Sequence, residues 1–270
     1  MIEKISSLQN PRVKKATKLH TSRGRQLQNR MIVFGEREVN RAIDAGIEFE
    51  EIFVPENASA SVIQSVLERC ASFSVAVFEL SPDVFGKISY GDRNDGLIGV
   101  AARPKTELSS LNIEQNALVV VAQAIEKPGN VGAIVRTADA CGVSAILLAD
   151  PLTDFYHPNS IRSSTAAVFG MQVAVGSSEK IQHWLKENQF NVFTAMLQDS
   201  SDFYQTDLRG NTAVVLGNEA RGLSDAWSGP EFKAVKLPML GSADSLNVSV
   251  TASVMLYEAS RQRNQWSPKN

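Results

Sequence analysis

The second half of the chain alternates short, uninterrupted apolar runs with segments of helical spacing, and this alternation restricts the fold more than any other feature. Runs typical of strands buried on both faces occur at residues 118–121, 145–148, 192–195, 213–216 and 234–237. Helices are predicted between and after them at residues 131–140, 161–168, 179–187 and about 245–263. The pattern predicts a mostly parallel sheet covered by helices, in which ligands bind at the carboxyl ends of the strands.

The first half of the chain predicts a smaller α/β unit. Asn10 and Pro11 are the residue types of a helix N-cap and of a first helical position, so a helix is predicted over residues 12–19. Residues 23–30 extend this helix after a break at Gly24. Strands are predicted at residues 31–34, 51–54, 74–78 and 97–101, with helices at residues 38–45, 61–70 and 82–88.

The polar stretch at residues 103–116, which contains Pro104, separates these two patterns. We therefore predict one domain over residues 1–105, a linker over residues 106–116 and a second domain over residues 117–270. A polar turn is predicted at residues 91–96.

The composition excludes several classes of protein. No apolar run reaches membrane-spanning length, and the first residues lack the apolar core of a signal peptide, which favours a cytoplasmic protein. Cys70 and Cys141 are far apart and are predicted to be buried, reduced thiols. The three histidines are equally scattered, so no metal site is predicted.

Positive charge is concentrated at the N-terminus. Residues 1–30 carry eight basic side chains against one acidic side chain, whereas the whole chain has a formal net charge of -2. This distribution favours RNA or DNA bound through a basic arm, with a solvated helix face as the alternative. Arg162 is a further candidate, for which a capped surface helix is the alternative. The candidate contacts in the arm are Arg12, Lys14, Lys15, Lys18, Arg23 and Arg25.

Polar and glycine-rich clusters follow three of the predicted strands in the second half. They occupy residues 123–132, 217–223 and 238–247. Each cluster alone could be a turn or a helix cap, but three at the same edge of a parallel sheet indicate a ligand site. None has the glycine spacing of a dinucleotide site or of a phosphate loop, which disfavours NAD and ATP.

The three clusters resemble the three motifs of the SpoU branch of the SPOUT class, the TrmH-like RNA ribose 2′-O-methyltransferases. The first motif spans residues 130–140, the second residues 216–223, and the third residues 237–239 with residues 245–250. The resemblance covers about residues 117–263. The N-terminal half is similar, by pattern, to the small ribosomal-protein-like RNA-binding domain that many relatives carry.

This resemblance implies a C-terminal α/β domain of the SPOUT type with a trefoil knot, a small N-terminal α/β/α RNA-binding domain, and a homodimer. It implies that residues 117–270 bind S-adenosylmethionine (SAM), with Leu237, Met239 and Leu246 as apolar walls. The cofactor-binding residues carried over from the motifs and the strand ends are Thr194, Ala195, Met196, Leu216, Gly217, Asn218, Leu237, Pro238, Met239, Ser245, Leu246 and Asn247.

The implied reaction is methyl transfer to a ribose 2′-hydroxyl, for which no metal is expected. In relatives the arginine that matches Arg136 is the proposed base. Because arginine is almost never deprotonated, we expect Arg136 to stabilise the forming alkoxide and to clamp a phosphate. Asn130 is expected to orient the ribose, and Glu219 to fix Arg136 or Asn130. The catalytic residues implied are Arg136, Asn130, Glu219, Ser245 and Asn247.

Alternatives differ in how well they fit the sequence. The appended N-terminal domain favours ribosomal RNA over tRNA as the substrate, with tRNA left open. A non-catalytic RNA-binding protein is disfavoured because Arg136, Glu219 and Asn247 are all present. A dinucleotide-dependent oxidoreductase is disfavoured because the glycine fingerprint is missing.

Overall fold

The computed structural model describes residues 2–90 and 96–263 and consists of two compact units. The N-terminal unit comprises Met1–Pro104 with Tyr156–Gly170, and the C-terminal unit comprises Lys105–Phe155 with Met171–Asn270. The division next to Pro104 lies beside the predicted linker. The segment Tyr156–Gly170, in contrast, was expected in the second domain and contacts the first. The polar turn predicted at residues 91–96 lies outside the described residues except for Gly96.

A five-stranded mixed sheet forms the centre of the N-terminal unit. Its strands are β1 (Glu3–Ile5), β2 (Arg30–Phe34), β3 (Phe49–Pro55), β4 (Ala76–Leu80) and β5 (Ile98–Ala102), in the order β1-β4-β3-β5-β2. β1, β4 and β3 are parallel, whereas β5 is antiparallel to β3 and β2. The helices are α1 (Pro11–Lys18), α2 (Ser22–Gln28), α3 (Glu36–Asp44), α4 (Ala60–Arg69) and α5 (Pro82–Ile88). Every predicted element of this unit is present, and β1 is an addition.

The predicted break at Gly24 is wrong. The Asn10 side chain caps α1 as expected, accepting a hydrogen bond from the backbone N–H of Arg12. Gly24 lies inside α2, whose N-cap Thr21 accepts from the Gly24 N–H. A Cβ at Gly24 would be 1.8 Å from the carbonyl oxygen of Lys18. The glycine therefore allows two helices to pack closely and does not separate them.

A seven-stranded, fully parallel sheet forms the centre of the C-terminal unit, in the order β10-β12-β9-β11-β6-β7-β8. The strands are β6 (Leu118–Gln123), β7 (Ala145–Ala149), β8 (Val173–Gly176), β9 (Asn191–Ala195), β10 (Ser201–Asp202), β11 (Thr212–Leu216) and β12 (Lys233–Lys236). The helices that follow α5 in the chain are α6 (Pro128–Ala140), α7 (Pro158–Ser163, in the N-terminal unit), α8 (Ser178–Glu187) and α9 (Val248–Gln262). The predicted α/β class with a mostly parallel C-terminal sheet is confirmed.

This strand order determines where the site forms. β12, β9, β11 and β6 are consecutive neighbours in the sheet, and the chain leaves all four at the same edge because the strands are parallel. Three of these four strand ends carry the polar clusters found in the sequence. The fold thus brings together segments that are about a hundred residues apart in the chain.

Three details of the prediction require correction. The helix expected over residues 161–168 is two shorter pieces, because Thr165 and Ala166 take the left-handed conformation with φ of 53° and 68°. β8 and β10 were not predicted. Residues 106–116 are not a free linker, since Leu108, Leu111 and Ile113 pack against the core of the C-terminal unit.

The two cysteines are buried and free, as predicted. Burial raises the pKa of the Cys141 thiol to about 11, so this thiol stays protonated and acts as an apolar side chain. Among the described residues, no helix is long and apolar enough to cross a membrane.

Candidate active site

A cleft of about 610 Å³ opens at the carboxyl ends of β9, β11 and β12 in the C-terminal unit. The loops of the second and third predicted motifs line it, together with the end of β9, the start of α9 and Lys127, which precedes the first motif. Ten of the twelve predicted cofactor-binding residues are part of its wall: Ala195, Met196, Leu216, Gly217, Asn218, Leu237, Met239, Ser245, Leu246 and Asn247.

The other two predicted cofactor residues, Thr194 and Pro238, do not line the cleft. Thr194 is buried in β9, directly before Ala195, and its hydroxyl has no hydrogen-bond partner among the described residues. Pro238 lies between Leu237 and Met239, which do line the cleft.

The loop after β11 is a narrow turn held by Asn218. The backbones of Asn218 and Gly222 form a reciprocal bridge, and the Asn218 Oδ1 atom accepts hydrogen bonds from the N–H groups of Ala220 (2.9 Å) and Arg221 (3.1 Å). A Cβ at Gly217 would lie 2.3 Å from the carbonyl carbon of Gly222. The close approach of the two backbones requires glycine at this position.

The same asparagine ties the β11 loop to the loop after β6. Its Nδ2 atom donates to the carbonyl oxygen of Ala124 (2.9 Å) and to the carboxylate of Glu126 (3.1 Å). Ala124 has a positive φ of 52°, a conformation in which an alanine is strained. Ala124 and Glu126 lie within the polar cluster predicted at residues 123–132, but neither was predicted as a site residue.

Three predicted catalytic residues form a hydrogen-bonded chain beside the cleft. The Nδ2 atom of Asn130 donates to Glu219 Oε1 at 2.6 Å, and the Nδ2 atom of Asn247 reaches the Oδ1 atom of Asn130 at 3.5 Å. The hydroxyl of Ser249 donates to Asn247 Oδ1 at 2.7 Å. All donors point towards the carboxylate, so the amide orientation of Asn130 is fixed from both ends.

The carboxylate of Glu219 is adapted to this role. Partial burial raises its pKa, but the hydrogen bonds from Asn130 and from the backbone N–H groups of the loop after β6 lower it by more, so the net pKa lies below its ordinary value. Glu219 is therefore ionised at neutral pH and accepts hydrogen bonds only. A charged acceptor is the stronger partner for the Asn130 amide.

Asn247 also starts α9. Its Oδ1 atom caps the helix by accepting from the Ser249 N–H at 2.9 Å. Ser245 lies two residues before this N-cap and lines the cleft.

Residues 117–257 match the SpoU rRNA Methylase family, which is just over half of the chain. The chain belongs to the SpoU rRNA Methylase family. Residues 10–99 match the MRM3-like substrate binding domain, which covers most of the N-terminal unit. The resemblance found in the sequence is thereby confirmed for both parts of the chain.

Individual relatives agree with this family. The chain is 27% identical over 256 residues to the 23S rRNA (guanosine(2553)-2'-O)-methyltransferase RlmP of Bacillus subtilis, covering 95% of this chain and 98% of that protein. It is 36% identical over 168 residues to the tRNA (guanosine(18)-2'-O)-methyltransferase of Thermus thermophilus, covering 60% and 86%.

Solved structures show the same fold over nearly the full length. A crystal structure of an RNA 2'-O ribose methyltransferase is 37% identical with a TM-score of 0.82, covering 97% of this chain and 99% of the other. The SpoU methyltransferase AviRb of Streptomyces viridochromogenes, solved in complex with AdoMet, has a TM-score of 0.86 at 26% identity, covering 95% and 99%.

Arg136, the SpoU arginine of the first motif, lies apart from the hydrogen-bonded chain. It is exposed on α6, six residues after Asn130, and no described residue forms a hydrogen bond or ion pair with its guanidinium. Of the two expected partners of Glu219, the structure supplies Asn130 only. The charge of Arg136 is available for a ligand outside the chain.

The predicted RNA contact at Arg25 is wrong. Its side chain is fully buried, and its guanidinium donates to the carbonyl oxygens of Leu19 (2.8 Å) and His20 (3.1 Å). Arg25 therefore connects α2 to the end of α1 and cannot reach a phosphate. The sequence does not distinguish Arg25 from Arg23, which lies two positions earlier and is exposed.

Only part of the basic arm is available to a polyanion. Arg12 is ion-paired with Glu51 and lies over the ring of Phe78, 4.5 Å from its centroid. Lys4 and Arg30 pair with acidic side chains of the same unit. The basic residues of the arm that are exposed and form no ion pair with a described residue are Lys14, Lys15, Lys18 and Arg23. Arg162 is exposed in α7.

No group of three or more histidine, cysteine or acidic side chains that could hold a metal ion occurs within residues 2–90 and 96–263.

Proposed function

We propose that this protein transfers a methyl group from SAM to a ribose 2′-hydroxyl of RNA, and that its substrate is ribosomal RNA. The observation that carries the proposal is the cleft at the ends of β9, β11 and β12, with Asn130, Glu219 and Asn247 hydrogen-bonded beside it. Family membership and the names of the relatives support the reaction.

The cleft fits SAM. Leu237, Met239 and Leu246 line it and supply apolar walls for a flat adenine ring. When bound, SAM supplies a methyl group on a sulfonium centre and leaves as a neutral thioether. The AviRb structure with AdoMet, which has the same fold, supports this assignment.

Asn130 orients the ribose in this proposal. Hydrogen bonds with Glu219 and Asn247 hold its amide, which retains a second N–H and a second lone pair for ligand hydroxyls. Ser245 contributes a hydroxyl to the floor of the cleft. Because these groups are positioned before the substrate arrives, little reorganisation is needed at the moment of reaction.

Arg136 acts as a cation rather than as a base. A guanidinium is a permanent cation with a planar fork of N–H donors, so Arg136 stabilises negative charge on the 2′ oxygen and holds the adjacent phosphate. The proton of the hydroxyl passes to a phosphate oxygen or to water. The absence of an internal partner for Arg136 in the described chain supports this outward role.

The choice of ribosomal RNA rests on the N-terminal unit. The relative named for 23S rRNA aligns with 95% of the chain, including the part that matches the substrate binding domain. The relative named for tRNA aligns with only 60% of the chain. Methylation of tRNA is the second candidate, supported by the higher identity of that shorter match.

The protein works as a cytoplasmic homodimer in this proposal. Val250, Val254 and Tyr257 lie at helical spacing on one face of α9, and Val250 and Tyr257 are 46% and 47% exposed. An exposed apolar stripe of this kind favours contact with a second copy. We also propose that the backbone of the C-terminal unit forms the trefoil knot implied by the resemblance.

The test is transfer of radiolabelled methyl from SAM to ribosomal RNA and to tRNA, each isolated from cells that lack this enzyme. We expect label in one position of 23S rRNA and none in tRNA. Label in tRNA alone selects the second candidate, and no label in either RNA with SAM bound contradicts the proposed activity.

A further inference from the structure

Four ring side chains meet in the N-terminal unit, and the proposed reaction uses none of them. His20 follows α1, Phe34 ends β2, Tyr90 follows α5 and His157 precedes α7. Phe34 and Tyr90 are stacked with centroids 5.6 Å apart, and the edge of His20 meets Phe34 at 5.6 Å and Tyr90 at 5.9 Å. His157 meets Tyr90 at 6.3 Å.

This aromatic group differs in exposure from the four phenylalanines at the core of the unit. Phe49, Phe53, Phe78 and Phe85 are buried in the core, whereas all four members of the aromatic group are partly exposed. An aromatic side chain in a core buries its whole surface, whereas a cluster of four partly exposed rings keeps part of its apolar surface accessible to a ligand.

Two of the rings are held in place by hydrogen bonds. His20 Nε2 lies 2.6 Å from the carbonyl oxygen of Ile88 and therefore donates to it. The Nδ1 atom of His157 accepts from the N–H of Asn159 at 3.0 Å. Rigid rings lose little conformational entropy when a flat ligand stacks on them.

The electrostatic surroundings favour an anionic ligand. Burial lowers the pKa of His20, the hydrogen bond to Ile88 opposes this change, and the positive charges of Arg25 and Lys87 lower the pKa further. His20 is thus a neutral ring at physiological pH, with the exposed cation of Lys87 nearby. Stacking rings next to a cation are the features that bind the bases and phosphates of single-stranded nucleic acids.

We propose that the aromatic group of His20, Phe34, Tyr90 and His157 is a stacking site for an unpaired nucleobase of the RNA substrate. This inference rests on the proposed function for the identity of the ligand as RNA. Stacking on a flat, aromatic surface tolerates any base, so the site selects single-stranded over paired RNA and does not read sequence.

The experiment compares two probes on the full-length protein: a short oligouridylate and an abasic ribose-phosphate chain of equal length. Tyr90→Leu removes the ring and keeps apolar volume, whereas Tyr90→Phe keeps the ring. We expect Tyr90→Leu to weaken oligouridylate binding about 5- to 150-fold and to leave abasic binding unchanged. Tyr90→Phe should retain wild-type binding to both probes.

Tyr204→Leu is the matched control, since Tyr204 is a partly exposed tyrosine beside a phenylalanine in the C-terminal unit. If folded Tyr90→Leu and Phe34→Leu proteins still prefer oligouridylate, or lose both probes equally, the stacking site is contradicted. Photo-cross-linking of 4-thiouridine RNA to the wild type tests the site without a variant, and a cross-link confined to other residues contradicts it. Methyl transfer is measured separately, so a base preference without methylation overturns only the proposed function.

Discussion

The two units use their polar side chains in opposite ways. In the C-terminal unit, Asn130, Glu219 and Asn247 form a hydrogen-bonded chain, and Asn218 bonds separately to the loop after β6, so that loops are held together around a cleft. In the N-terminal unit, most of the charge lies at the surface, in ion pairs or in cations without a partner in the described chain. The spacing of the motifs therefore predicted which side chains lie close together in the C-terminal unit. In the N-terminal unit, the count of charged residues predicted only an excess of positive charge.

The comparison predicts its largest effect at Arg136, the cation of the C-terminal unit that faces outward. Arg136→Ala should lower the rate of methyl transfer about 100- to 1,000-fold, because stabilisation of the developing oxyanion is lost. Arg136→Lys should recover only part of the rate, since lysine lacks the planar fork. Single-turnover kinetics measure the effect, with the exposed Arg209→Ala as the control; an Arg136→Ala protein of near-normal rate contradicts it.

Two glycines of the C-terminal unit, one in the cleft wall and one in α6, extend the comparison to the backbone. Gly217→Ala places a methyl group 2.3 Å from the Gly222 carbonyl carbon, whereas Gly129 has no other atom within 4 Å of an added Cβ. We expect Gly217→Ala to weaken SAM binding at least about tenfold in calorimetry. Gly129→Ala should bind SAM normally, and equal affinities for the two variants would show that the turn is not part of the pocket.

The exposed cations of the N-terminal unit that form no ion pair with a described residue should act together on RNA affinity. Replacing Lys14, Lys15, Lys18 and Arg23 by glutamine should reduce the slope of log affinity against log salt by up to about 3. Affinity for SAM should not change. Fluorescence anisotropy with ribosomal RNA fragments at several salt concentrations measures the slope, and an unaltered slope rules out this surface as the RNA contact.

Replacement of the buried Arg25 should change the stability of the protein and leave RNA binding unchanged. Arg25→Met leaves the carbonyl groups of Leu19 and His20 without their buried donor, so the free energy of unfolding should fall by about 1–3 kcal/mol. The salt dependence of RNA binding should be that of the wild type. Urea unfolding measures the change in stability, and RNA binding by the folded protein measures the salt dependence. Arg23→Met is the control for stability, since Arg23 is exposed.

The smallest effect concerns the pH dependence at Glu219. Its pKa in the folded protein lies below the ordinary value of 4.5, so its stabilising contribution is present above that value and is lost as the pH falls through the folded-state pKa. Glu219→Gln should therefore be less stable than the wild type at pH 7, and the difference should shrink below about pH 4.5. Thermal unfolding across this range measures it; a gap that widens on acidification would contradict the sign.

Most strands and helices of the fold were predicted from the sequence, and the physical reason for success or failure differs from one element to the next. Continuous apolar runs such as residues 118–121 and 213–216 specify buried parallel strands without further information. β8 and β10 were missed because they are short, edge-lying or partly exposed. The prediction of one helix over residues 161–168 was wrong because threonine and alanine, the residue types at positions 165 and 166, do not indicate a left-handed backbone.

The candidate site was predictable at positions where the residue type indicates one structural role. Asn247 had the residue type of a cap and is one, and the glycines of the second motif proved necessary for a close turn. Arg25 shows the opposite case, since a buried arginine that holds carbonyl groups has the same sequence signature as an RNA contact. The partner of Glu219 could not be chosen between Asn130 and Arg136 without coordinates.

The most direct measurement is the identity of the methylated nucleoside. Ribosomal RNA treated with the protein and SAM is digested and analysed by mass spectrometry, for the wild type, Asn130→Ala and Arg136→Ala. We predict a 2′-O-methyl nucleoside with the wild type, and at most traces with either variant although both still bind SAM. A methyl group on a base, or undiminished ribose methylation by the two variants, would contradict the assignment of this cleft.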